Sequence, residues 1–110
     1  MDIKIIPTEE FTKELKRLSK KHRSLLSDIA NLSVKLKKDP IQGTDLGQGV
    51  YKIRLAISGT NKGKSGGARI ITCVLLVRET VYLTDIYVKN ENDTVDVDRI
   101  IQRLKNDGLI

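Results

Sequence analysis

A chain of 110 residues, 39% of them hydrophobic, is long enough for one buried core and too short for two, so a single domain over residues 1–110 is expected. Twenty Lys and Arg against 14 Asp and Glu give a net charge of +6 and a pI near 9.6, which favours a polyanionic partner. The one cysteine, Cys73, excludes an intramolecular disulfide; within an apolar run it reads as a small buried hydrophobe rather than a thiol nucleophile. The N-terminus is too short and too polar for a signal peptide, and no run of about 18 apolar residues occurs, so a cytoplasmic protein without a membrane partner is expected.

Taken in order, Asp2 to Ile6 reads as a short strand stopped by Pro7, which cannot donate to a ladder. Thr8 is placed to cap a helix with the apolar stripe Phe11, Leu15 and Leu18, and Glu9 and Glu10 fall where the helix dipole favours them. His22, the only histidine, continues that stripe. It lies far in sequence from the basic segments, which favours a half-buried stripe end over a catalytic base. Ser24 is placed to cap a second helix with the stripe Leu25, Ile29, Leu32 and Leu36, ended by Asp39-Pro40. The short link between the stripes predicts an antiparallel helical hairpin. Residues 40–49 read as a connector, and Asp96 is expected to cap a last helix, with Val97, Ile100, Ile101 and Leu104 inward and Gly108 closing it.

Most of the functional signal lies between Val50 and Glu91. Tyr51, Ile53, Leu55 and Ile57 alternate with Lys52, Arg54 and Ala56, the period of a half-buried strand. A glycine-rich basic loop follows, then a strand opened by Arg69, then the strand Val81 to Val88 and the turn Lys89-Asn90-Glu91. From Leu46 to Arg78 there are six lysines and arginines and no acid, and seven of the eight glycines lie between Gly43 and Gly67. The order β-α-α-β-β-β-α predicts an α+β fold: a small, mainly antiparallel twisted sheet with a helical hairpin, a C-terminal helix, and the helices mainly on one face.

Lys52 and Arg54 are two apart and share a face, as do Tyr87 and Lys89. If the strands are neighbours, one solvent-exposed polar face gathers Lys52, Arg54, Arg69, Tyr87 and Lys89, a set suited to a phosphate with a stacked base. The same set also suits a basic nucleic-acid surface without catalysis. The loop Gly59 to Ser65 resembles a P-loop but has only three residues between Gly59 and Gly63, and it leads into a strand rather than a helix. Lys62 and Lys64 read instead as a basic arm on nucleic-acid backbone.

Three segments, Tyr51-Lys52-Ile53-Arg54-Leu55-Ala56, Gly63 to Ile71, and Tyr82 to Glu91, resemble the HigB branch of the RelE/ParE toxin superfamily over about 45 residues. The resemblance implies a RelE-like fold and a type II toxin that cuts mRNA in the ribosomal A site without a metal or other cofactor. It also implies a cognate antitoxin, HigA-like with a helix-turn-helix, through which operator DNA is bound. Carried onto this chain, Lys52, Arg54, Arg69 and Lys89 would surround the scissile phosphate. Lys52 would be the base, and Lys89 or Glu91 would protonate the leaving group. Asn90 to Asp93 stand where some relatives carry a histidine or tyrosine, so the acid stays open: Lys89 is an acid or an electrostatic group, and Glu91 a proton-transfer residue or only a turn residue. Two further readings stand beside this one: a ParE-like inhibitor of DNA gyrase, and a non-catalytic nucleic-acid-binding module.

Overall fold

The computed structural model describes residues 2–59, 66–88 and 94–110. The elements run β1 (Lys4–Pro7), α1 (Glu9–Ser19), α2 (Leu25–Lys38), β2 (Thr44–Gly47), β3 (Val50–Leu55), β4 (Ala68–Leu75), β5 (Thr80–Val88) and α3 (Val97–Asn106). Among the described residues five strands form one sheet in the order β1-β5-β4-β3-β2, in which β1 and β5 pair parallel and the other neighbours antiparallel. The fold is α+β, as expected, with one strand more than the four anticipated.

The extra strand, β2, comes from the segment read as a connector. Gln48 and Gly49 both take positive φ, 55° and 79°, which is the type I′ geometry that folds two strands back on each other with the right twist. Gly47 then pairs with Val50 across a two-residue turn.

The capping expectations divide. The Thr8 hydroxyl accepts from the Phe11 amide at 3.2 Å, and the Asp96 carboxylate accepts from the Arg99 amide at 3.1 Å, each closing a helix start. Gly108, at φ 73°, ends α3 with the Leu109 amide donating to the Leu104 carbonyl, the Schellman pattern. Ser24 stands at the N-cap of α2 yet makes no cap bond. Its hydroxyl turns to the Ser58 carbonyl at 2.7 Å and the Asp28 carboxylate at 3.1 Å. His22 sits half-buried between the two helices, as the end of its stripe should.

The helices do not gather on one face. Phe11, Leu18, Leu25 and Leu36 of α1 and α2 pack with Ile53, Ile70 and Leu83 on one side of the sheet. Ile100 and Leu104 of α3 pack with Val50, Ile71, Cys73 and Tyr82 on the other. The cause is β4, an unbroken apolar run from Ile70 to Leu75 apart from Thr72, with Ala68 to Val74 buried throughout. A strand with apolar side chains on both faces needs two covers. The Leu109 carbonyl holds the end of α3 in place, accepting from Arg78 Nη1 at 2.8 Å and from the Tyr82 hydroxyl at 3.1 Å.

Between α2 and the exit of β3 lies a buried carboxylate, Asp28, 6% exposed. It accepts from the Ser58 amide at 3.0 Å, the Ser58 hydroxyl at 2.5 Å and the Ser24 hydroxyl. Burial pushes its pKa up, but the Ser58 and Ser24 hydrogen bonds outweigh burial and leave it below the ordinary aspartate value. A folded-state pKa below the unfolded one adds stability that is fully present above the unfolded pKa, near 3.9, and is lost as pH falls through the folded value. Urea unfolding is therefore expected to show a loss of stability below about pH 4 that Asp28→Asn removes, together with a cost of about 1–3 kcal/mol at neutral pH from the altered network. An unchanged acid limb in the variant would show that Asp28 is not the group responsible.

Candidate functional site

The register across the three central strands places the site. Arg54 of β3 stands opposite Arg69 of β4, and Arg69 stands opposite Tyr87 of β5. Paired residues on neighbouring strands share a face with Cβ atoms roughly 5 Å apart, so Arg54, Arg69 and Tyr87 form one row across the sheet. The next row is Lys52, Ile71 and Asp85. Ile71 belongs to the core under α3, so both rows lie on the α3 face, at the end of the sheet opposite the Leu109 anchor.

Tyr87 reaches that face because β5 is bulged. Ile71 pairs with Asp85 but Thr72 pairs with Leu83, so Thr84 is an extra residue. Before it, Val81 and Leu83 point into the α1/α2 core; after it, Ile86 does so with Val88 packed alongside. Without the extra residue the alternation would run on unbroken and send Tyr87 into that core, with Ile86 beside Arg69. The sequence carries the signal as a phase slip, since apolar residues at 81 and 83 are followed by 86 and 88.

Two glycines bring neighbouring backbone onto β3. A Cβ on Gly67 would overlap the Leu55 carbonyl, and one on Gly43 would overlap the Lys52 carbonyl. Only glycine allows these approaches, which flank the two basic residues of the strand.

Arg54 is exposed, while Lys52 and Tyr87 are half-buried. Arg69 departs from the expectation of a solvent-facing side chain: it is 3% exposed. It lies on the central strand with Arg54 on one side and Tyr87 on the other, so its stem is walled by neighbours. Lys62, Lys64, Lys89 and Glu91 lie outside the described residues. Among those described, no group of three or more His, Cys, Asp or Glu could hold a metal ion, and no helix is long and apolar enough to cross a membrane.

Sequence reasoning missed Asp85 and Arg103. Arg103 Nη2 meets Asp85 Oδ1 at 2.7 Å and the Thr84 carbonyl at 3.1 Å, with Nη1 at 3.4 Å from Oδ2. Beside them a groove of about 430 Å³ runs past Tyr87 between α1 and α3, lined by Glu10, Glu14 and Arg17 on one wall and Asp96, Arg99 and Arg103 on the other. Its signs are mixed, unlike the row of cations.

A guanidinium pair placed directly cross-strand is electrostatically unfavourable on its own and becomes favourable when an anion lies between the forks. A family model described as the RelE toxin of the RelE / RelB toxin-antitoxin system matches residues 3–105.

The chain belongs to the RelE toxin family. It is accordingly the toxin of a toxin-antitoxin pair, with a cognate antitoxin as partner.

For this RelE-family toxin, the row predicts anion-dependent stability. Inorganic phosphate is expected to raise the thermal midpoint of the wild-type protein and to have little effect on Arg54→Gln. Without phosphate, Arg54→Gln should stay within about 1 kcal/mol of wild type, because the Arg54 side chain is exposed. A variant that loses several times that amount would show that Arg54 supports the fold rather than a ligand.

Proposed function

We propose that this toxin is a ribosome-dependent endoribonuclease that cleaves mRNA in the A site and so arrests translation. The observation that carries the reading is the row of Arg54, Arg69 and Tyr87 on one face of three adjacent strands, with Lys52 one row away. Two guanidinium forks and an aromatic ring suit a phosphate and an adjoining base, and family membership supplies the toxin role.

In this reading Lys52 takes the proton of the 2′-hydroxyl, whose oxygen attacks the adjacent phosphorus. Arg54 and Arg69 neutralise the charge that builds on the phosphorane oxygens, where fixed donors act most strongly. As the O2′–P bond forms, the P–O5′ bond breaks, and Lys89 or Glu91 delivers a proton to the leaving oxygen. The products are a 2′,3′-cyclic phosphate and a free 5′-hydroxyl. The ribosome holds the message in the reactive conformation, which supplies orientation that a small surface site lacks. Tyr87 stacks on a base beside the cut, and Lys62 and Lys64 touch the flanking backbone. The antitoxin is HigA-like, and operator DNA is contacted through it. The site of action is the cytoplasm, where translation occurs.

The test is to induce the toxin and map transcript ends by primer extension, on one message with an intact start codon and on one without. Codon-phased cuts are expected only in the translated message, and Arg54→Gln should lower cleavage about 100- to 1,000-fold, the usual cost of removing one charge-stabilising donor. Cuts that ignore translation would overturn ribosome dependence. DNA breaks with intact messages would point to gyrase, and neither would leave a binding module.

A further inference from the structure

We infer that Arg103 is a positioning residue: by holding the Thr84 carbonyl and the Asp85 carboxylate together, it fixes the β5 bulge that presents Tyr87 beside Arg54 and Arg69. The functional part of this inference rests on the nuclease reading above; the geometric part does not.

A bulge competes with the regular register, and slippage by one residue exchanges the two faces of everything beyond it. Beyond Thr84 the exchange would put Ile86 in the row with Arg69 and turn Tyr87 toward the α1/α2 core. β1 pairs with β5 only from Lys4↔Thr80 to Pro7↔Leu83, so at Thr84 the support of a strand on that side ends.

What replaces β1 comes from the two helical layers. The Thr8 hydroxyl, at the start of α1, lies 3.2 Å from both the Leu83 and Thr84 carbonyls. It has one proton to share between them. From the opposite face, Arg103 Nη2 has two protons and two acceptors, Asp85 Oδ1 at 2.7 Å and the Thr84 carbonyl at 3.1 Å. The Thr84 hydroxyl completes the grip by donating to the Ile71 carbonyl at 3.2 Å. Thr84 is fully buried, so without Arg103 its carbonyl has no water to turn to and keeps only its share of the Thr8 hydroxyl. The Asp85–Arg103 pair itself is 28% and 30% exposed, too open to a solvent-screened surface to be explained by stability alone. Its planar fork binds a carboxylate and a carbonyl at once, which an ammonium cannot reproduce.

The test uses protein labelled with ¹³C at its tyrosines, of which there are three: Tyr51, Tyr82 and Tyr87. Tyr51 packs on the opposite face and Tyr82 packs under α3, so they report on the rest of the sheet and on α3 docking. Arg103→Met is expected to move the Tyr87 ring signal and leave that of Tyr51 unchanged. Arg103→Lys should restore little of the Tyr87 position, and an unmoved Tyr82 signal in it shows α3 still docked. In cleavage on translating ribosomes, Arg103→Met should lower kcat roughly 10- to 100-fold with little change in KM, as for displacement by about 1 Å. Added to Tyr87→Ala, it should cost less than about twofold more, because both changes act through one side chain. A Tyr87 signal unmoved in Arg103→Met, or losses that multiply in the double variant, would overturn the inference. If the wild-type toxin fails to cut translated message, the nuclease reading falls while the tyrosine signals still decide the positioning.

Discussion

The arrangement depends on burying β4 from both sides, from Ala68 to Val74. Ile70, Thr72 and Val74 point one way and Ile71, Cys73 and Leu75 the other, so α1 with α2 and then α3 are each required. Hydrophobic burial drives both covers. α3 covers its face around Ile71, Cys73 and Tyr82, with Tyr87 packed against the same cluster, and Arg69 beside it lies buried at 3% exposure. The Arg69 side chain is thereby set on the central strand of the sheet, flanked by a partner strand on each side. In the proposed nuclease, such a fixed placement suits a group that stabilises developing charge, since donors fixed in advance need not reorganise during reaction.

Much of this was legible in the residues. The period-two run of β3 placed Lys52 and Arg54 on one face, and the apolar stripes located all three helices. The glycine concentration between Gly43 and Gly67 marked where backbone approaches β3 and turns sharply, although it did not reveal β2. Reading residues 40–49 as a connector failed because a four-residue edge strand has little periodicity, and the turn signal was Gln-Gly rather than the more familiar Asn-Gly. The placement of α3 followed from the two-faced character of β4, which an apolar run shows only when it is asked what would cover its second side.

For Arg54, Arg69 and Tyr87, the shared face was legible and the burial was not. Grouping Arg54, Arg69 and Tyr87 required adjacent strands in a compatible register, and the pairing provides it. The solvent exposure expected for Arg69 did not follow, because a central position between two long side chains covers it. Tyr87 fell on the expected face only by way of the bulge, whose trace is the shift from apolar 81 and 83 to 86 and 88. Arg103 and Asp85 had no local pattern to announce them, since their meeting depends on how α3 lies across β5.

The central claim is that one face of three adjacent strands holds the phosphate of a message. The most direct measurement is a structure of the toxin with a short RNA carrying a 2′-deoxy substitution at the cleavage position. The account predicts a phosphate bridging Arg54 and Arg69 at the charge-assisted distance of about 2.7–2.9 Å, with a base against Tyr87. A phosphate found on the α1/α2 face, or in the mixed-sign groove with both arginines empty, would contradict it.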